Sequence, residues 1–276
     1  MAIFAGSLNS SLRGALLRDK AERWLTTAAG PAVGFALLLL AWQLIALKVV
    51  EIPAPGPTFD AAVALFKDPF YDNGPNDLGI GWNILASLGR VTVGFLCAAA
   101  VGIPAGFLIG RFHSLDAIFS PVISLLRPVS PLAWLPLGLL LFKAADPAAI
   151  WAIFICSIWP IVINTADGVR QVPQDYLNVA RVLSLSEWKI FKSILLPSVL
   201  PYLITGIRLS IGTAWLVIVA AEMLTGGTGL GFWLWDEWNN LNVQHILIAI
   251  FIIGIVGLLL DLALLALGRR YSHSES

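Results

Sequence analysis

Apolar residues in this chain run in long blocks separated by short polar stretches, without the two-residue alternation of a half-buried strand. A helix crossing about 30 Å of hydrocarbon at 1.5 Å per residue needs roughly 20 such residues. That ruler places six spans, at about 31–50, 88–110, 118–142, 147–166, 199–222 and 245–268. Residues 91–110 and 147–166 carry no charge, whereas Arg127 interrupts the third span, Arg208 the fifth, and Asp261 the end of the sixth. Residues 24–47 are also uncharged, longer than the apolar core of a cleaved signal, and read as a retained anchor. A closed barrel would need short alternating segments that the chain lacks. The expected fold is an all-α integral membrane protein, a six-transmembrane-helix bundle over 31–268, with an N-terminal segment (1–30) and a short tail (269–276).

Composition points the same way: 58% hydrophobic and 12% charged residues and a mean hydropathy of +0.84 exceed what a soluble domain can bury. The 17 basic and 17 acidic residues balance, so nothing draws the chain toward nucleic acid. Their placement is informative. Arg13, Arg18, Lys20 and Arg23 precede the first span, and the 51–81 loop carries Glu51, Asp60, Asp68, Asp72 and Asp77 against Lys67. The positive-inside rule then puts both termini in the cytoplasm, with Arg111, the Arg170–Lys192 segment and Arg269 inside and Trp82, Trp233, Trp235 and Trp238 outside. Cys97 and Cys156, within apolar runs, read as small buried hydrophobes. His113, His245 and His273 are scattered, which supports neither a metal site nor a membrane-embedded enzyme.

Ala98, Gly102, Gly106 and Gly110 repeat every four residues and predict a flat face for close helix approach. The run Arg127 to Pro136 holds Pro128, Pro131 and Pro136 and must break its helix beside protein or water. Arg127 and Arg208 are intramembrane cations whose planar guanidinium could meet an anion or a structural partner; Asp261 invites a basic neighbour. Trp42, Trp134, Trp159 and Trp215 fall within spans, where packing or a pathway wall would both suit them.

Between the fourth and fifth spans, residues 167–197 exceed a simple turn. Pro173 suits a first helical turn, and Val172, Tyr176, Val179, Ala180 and Leu183 then share a face. Ser184 and Glu187 have capping-box spacing ahead of Leu185, Trp188, Ile190, Phe191 and Ile194, which predicts a second short helix ended by Pro197. Such a pair could grip a soluble partner or lie among headgroups.

The stretch from Asn178 to Pro197 resembles the E-A-A-x3-G-x9-I-x-L-P loop of ABC importer permeases. Spacing is kept, with identity at Ala180, Ile194, Leu196 and Pro197, while Asn178, Val179 and Ser184 stand where the pattern has Glu, Ala and Gly. The run from Arg127 to Pro136, Gly206 to Leu209, and Ala221-Glu222 resemble blocks of the aliphatic sulfonate, taurine and nitrate group. The resemblance implies a cytoplasmic coupling-helix loop, with Asn178, Val179, Ala180, Ser184, Leu185, Glu187, Trp188, Ile194, Leu196 and Pro197 meeting the ATPase. It also implies translocation-path candidates Arg127, Pro131, Trp134, Arg208, Trp215 and Glu222. The implied setting is a bacterial inner membrane, with a second copy of the chain, two ATP-binding cassette subunits and an extracytoplasmic solute-binding protein as partners. The Gly226–Gly231 run lacks a following Lys-Ser/Thr and is no Walker loop, so ATP and Mg would be bound by the partners and this chain would carry no cofactor, metal or catalytic residue. Residues 68–82 look most like the nitrate and bicarbonate branch, implying a small inorganic oxyanion, nitrate or nitrite ahead of bicarbonate or a sulfonate such as taurine. A self-sufficient secondary anion transporter or channel is the rival from another class, though the chain shows no internal repeat.

Overall fold

The computed structural model describes residues 29–74 and 77–272; the basic residues before the first span, His273 and the end of the tail lie outside them. Among the described residues the chain is all-helical, with one isolated bridge between Asp72 and Leu78. The described residues divide into two compact units, one up to Ala61 and one from Ala62 on. In the first, α1 (Gly30–Ala46) starts with Pro31 in its first turn, and the Trp42 indole donates to the Pro53 carbonyl at 3.0 Å. Helix α2 (Pro55–Leu65) follows.

The second unit holds α3 (Ile80–Arg111), α4 (His113–Leu126), α5 (Pro131–Phe142), α6 (Ala145–Arg170), α7 (Gln174–Val182) and α8 (Glu187–Ile190). A π-helical turn, Phe191–Leu195, leads into α9 (Leu196–Thr225), followed by α10 (Leu230–Asn239) and α11 (Val243–Ser272). Among the described residues, four helices are long and apolar enough to cross a membrane: α3, α6, the continuous Glu187–Thr225 helix and α11. The pair α4 and α5, bent by 100° at the expected proline break, makes a fifth if it counts as one span. Pro131 opens α5 because a first-turn residue needs no N–H partner. Helix α1, at 17 residues, is apolar but shorter than these.

Helix α6 is the axis of this unit: half of its most apolar stretch is buried, against 17% for α11. The glycine face of α3 lies on it as expected and extends further. A Cβ on Gly94 would fall 2.6 Å from Ile153 Cγ2, one on Gly106 2.6 Å from Thr165 Cβ, and one on Gly110 2.7 Å from the Ala166 carbonyl oxygen. Only glycine lets the two backbones approach so closely. On the other side of α6, Ser210 of α9 donates to the Ser157 carbonyl at 2.7 Å, and Trp215 donates from its indole to the Ile253 carbonyl, tying α9 to α11.

Three expectations change. Helix α3 begins about two turns before residue 88, because Asn83 and Ser87, polar but buried, continue its packed face. Pro197 does not end a helix: it sits in the first turn of α9, where the Leu196 amide bonds the Phe191 carbonyl across the π turn. Cys156 is buried, but Cys97 is exposed, since it projects from α3 away from α6.

Candidate functional site

At the end of the bundle where α3 terminates, α7 and α8 pack on α6 and α9. Val169, Val172, Leu177, Ala180, Ile190, Leu195 and Val199 form a buried cluster, with Leu185, Phe191 and Ile194 against it. The face expected from periodicity is split by this arrangement. Val172 and Ala180 turn inward with Leu177, whereas Tyr176, Val179 and Leu183 are exposed, together with Val182 and Trp188, which is 71% exposed. Two apolar faces on one short helix are what an element needs when it packs on its own chain and also meets something else. Asn178, on the exposed side, accepts from Arg181 at 3.2 Å.

Ser184 is not a helix start. It ends α7, with φ 50°, while the Ser184 amide bonds the Arg181 carbonyl and the Leu185 amide the Ala180 carbonyl. That bonding pattern is the Schellman motif, whose left-handed residue is normally glycine. Hence the glycine of the E-A-A pattern has a conformational reason, and serine here carries the steric cost of a left-handed backbone. The N-cap of α8 is Ser186, whose hydroxyl accepts from the Lys189 amide. Glu187 reaches Arg111 at 3.7 Å.

Midway along the bundle two adjoining cavities, of about 520 and 310 Å³, share Arg127 and Ile163. The first is bordered by Ser120, Ser124 and Arg170, the second by Trp159, Asn164 and Thr213. Arg127 caps α4 with its amide bonded to Ile123, and its side chain forms no ion pair among the described residues. Arg208 and Arg170, by contrast, are engaged. Arg208 grips Asp261 with Nη2 to Oδ2 at 2.8 Å and Nε to Oδ1, and Arg170 pairs with Asp116 at 2.6 Å and Asp167 at 3.0 Å. Pro131 and Trp134 lie in the first turns of α5 beyond the break; the buried Trp134 indole N–H has no partner among the described residues.

Trp215 and Glu222 occupy packing positions. Glu222 is 1% exposed at the opposite end of the unit and accepts from both α3 and the glycine-rich loop. Ser87 Oγ bonds both its oxygens at 2.8 and 2.9 Å, Arg90 Nη1 lies at 2.7 Å and the Gly231 amide at 2.9 Å. Arg90 also donates to the Thr228 carbonyl and to Asp146 at 2.8 Å. The Gly229 amide reaches Asn83 and the Leu230 amide Ser87. A Cβ at Gly229, whose φ is +149°, would collide with the Glu222 carboxylate. Four consecutive loop residues are thus held by side chains. Sequence reading passed over Asn83, Ser87 and Arg90, although they extend the Gly94–Gly110 face at helical spacing. Beside this clamp, a small pocket of about 70 Å³ is bordered by Tyr71, Asp77, Asp236 and Glu237. Partial burial, then Asp77, raises the Tyr71 phenol above its ordinary pKa and keeps it protonated.

The family described as binding-protein-dependent transport system inner membrane component matches residues 102–273. The chain belongs to that family. Among curated ABC permeases, it is 50% identical over 232 residues to the nitrate import permease protein NrtB of Synechocystis sp., covering 84% of each chain. It is 48% identical over 235 residues to the bicarbonate transport system permease protein CmpB of the same organism, again covering 84% of each. NrtB of Leptolyngbya laminosa shares 46% over 252 residues, 91% of this chain and 89% of that one. Among solved structures, the MetNI methionine ABC transporter superposes with a TM-score of 0.60 at 16% identity, covering 68% of this permease and 94% of that chain, which supports the fold. Family membership sets the self-sufficient transporter aside.

Proposed function

We propose that this permease forms the membrane path of an ATP-driven importer for a small planar oxyanion, nitrate or nitrite ahead of bicarbonate. The carrying observation is the Arg127 cleft. An anion leaving water for a low-dielectric bundle needs an opposite charge near it, and the Arg127 fork, between the two halves of the bent pair, carries no carboxylate among the described residues. Its planar donors match a trigonal oxyanion. Pro131 and Trp134, just past the break, border the same path; Arg208, Trp215 and Glu222 support it through packing. Relatives named for nitrate and for bicarbonate stand at nearly equal identity; the 68–82 loop resembles the branch they share, and the preference for nitrate rests on overall resemblance alone.

In the working arrangement α1, α3, the α4–α5 pair, α6, α9 and α11 give six spans, with both termini cytoplasmic and the Glu222 clamp outside. Two copies of the permease enclose the path, since one chain of six spans is too thin to do so alone. A solute-binding protein delivers the anion to the outer face. Two ATPase subunits, which hold ATP and Mg, dock on Tyr176, Val179, Leu183 and Trp188. Their closure moves the coupling segment from Asn178 to Pro197, which continues without interruption into α9. No nucleotide site is assigned to this chain.

The test is uptake into proteoliposomes holding the permease, its ATPases and its binding protein. Nitrate should be carried in preference to bicarbonate, and Arg127→Gln should reduce nitrate uptake at least about tenfold, the loss of one charge-assisted contact, with Arg127→Lys intermediate. Undiminished uptake by Arg127→Gln removes the cleft from the path; uptake of bicarbonate alone replaces the nitrate reading.

A further inference from the structure

We infer that the junction of α3, α4 and α8 is a binding site for one anionic phospholipid. Two cavities of opposite character meet there. An apolar groove of about 750 Å³ runs along α3 between Ile103, Phe107 and Leu108 on one side and Phe191 and Leu196 on the other. A polar pocket of about 210 Å³ is bordered by Arg111, His113, Asp116 and Arg170. Arg111 and Leu195 line both. A single ligand lying across them must be charged at one end and apolar along the rest.

Charge decides the headgroup. Within the pocket Asp116 is occupied, accepting from Arg170 at 2.6 Å and from Ser120. Arg111 has only Glu187 at 3.7 Å, whose side chain is 82% exposed, and its guanidinium makes no hydrogen bond among the described residues. An exposed pair at that distance contributes little. Arg111 therefore presents unsatisfied donors to a phosphate, the acceptor best matched to a guanidinium, with His113 bordering the same pocket. Geometry decides the tail. From Arg111 down to Ile103 the groove follows eight residues of α3, about 12 Å at 1.5 Å per residue. Trp188 stacks on Phe191 at its rim. Arg111 ends a membrane-spanning helix, so headgroup and tail would each lie at their natural depth. The inference does not depend on which anion the permease carries.

The test is native mass spectrometry of the delipidated full-length chain, titrated with phosphatidylglycerol or phosphatidylcholine of identical acyl chains, and repeated on the complex with its ATPases. One phosphatidylglycerol should bind at least about fivefold more tightly than phosphatidylcholine, a difference of the size that one charge-assisted contact supplies. Arg111→Gln should abolish that preference and Arg111→Lys retain it. Leu108→Trp, at an exposed groove position, should weaken both lipids without touching the charge. Equal binding of the two lipids, an Arg111→Gln chain that keeps the preference, or a site closed by the ATPases overturns the inference. So does displacement by inorganic phosphate with Leu108→Trp neutral, which would mean a phosphate site without a tail.

Discussion

Replacing Glu222 by alanine removes one acceptor and leaves two buried donors, the Ser87 hydroxyl and the Gly231 amide, without a partner. An orphaned buried donor costs about 1–3 kcal/mol. Arg90 keeps Asp146 and the Thr228 carbonyl, so its charge is not stranded and the larger penalty for a broken buried ion pair is not added in full. The expected loss is about 3 kcal/mol, with water in the vacated space offsetting part of the gross sum. At about 2–4 °C per kcal/mol for a chain of this length, the Tm should fall by about 6–12 °C. Intrinsic tryptophan fluorescence during a thermal ramp in detergent reads this directly. Glu222→Gln, which keeps the volume and one acceptor, should fall between alanine and wild type, and Ser87→Ala combined with Glu222→Ala should cost less than the two singles added. A Glu222→Ala chain melting within about 2 °C of wild type would show that the clamp contributes nothing net and that the loop is held by packing alone.

Ser184→Gly should stabilise the end of α7 by about 1 kcal/mol, the steric cost of a left-handed non-glycine residue, while Ser184→Val should destabilise it; amide hydrogen exchange at Leu183–Leu185 distinguishes them, and a slower-exchanging valine variant would refute the Schellman assignment. Arg208→Ala and Asp261→Ala should each lower the yield of folded chain by stranding one charge in a span, and the double substitution should recover most of it; equal damage from the double would mean that the two groups have separate roles.

What the sequence revealed was local. Twenty-residue apolar runs, the prolines between Arg127 and Pro136 and the four-residue glycine repeat each carry their meaning within a few turns, and the spans, the 100° bend and the α3–α6 seam follow from them. Asn83, Ser87 and Arg90 read as a polar approach to a span because their partners in α9 and the glycine-rich stretch lie 132 to 146 residues away. Ser184 and Pro197 failed for a different reason: each residue type suits two opposite ends of a helix. Serine spaced three before a glutamate satisfies a capping box on paper, yet Ser186 takes that role, and proline both follows helices and opens them. Cys97 shows a third limit, since an apolar run does not say which side of its helix meets neighbours. For the Arg127 cleft the cation was visible in the sequence, but its lack of a carboxylate was not, because the pairing of Arg208 with Asp261 and of Arg170 with Asp116 is tertiary.

The Arg90 clamp also sets an order of events during synthesis. Arg90 enters the membrane with its helix well before Glu222 exists, for 132 residues separate them, roughly 7–26 s of translation at about 5–20 residues per second. Asp146 follows Arg90 by only 56 residues and reaches the growing chain in less than half that time. It can hold the guanidinium while α9 is still being made. The exposed carboxylate that is redundant in the finished permease is thereby placed in the sequence to neutralise the arginine before its permanent counter-ion is made.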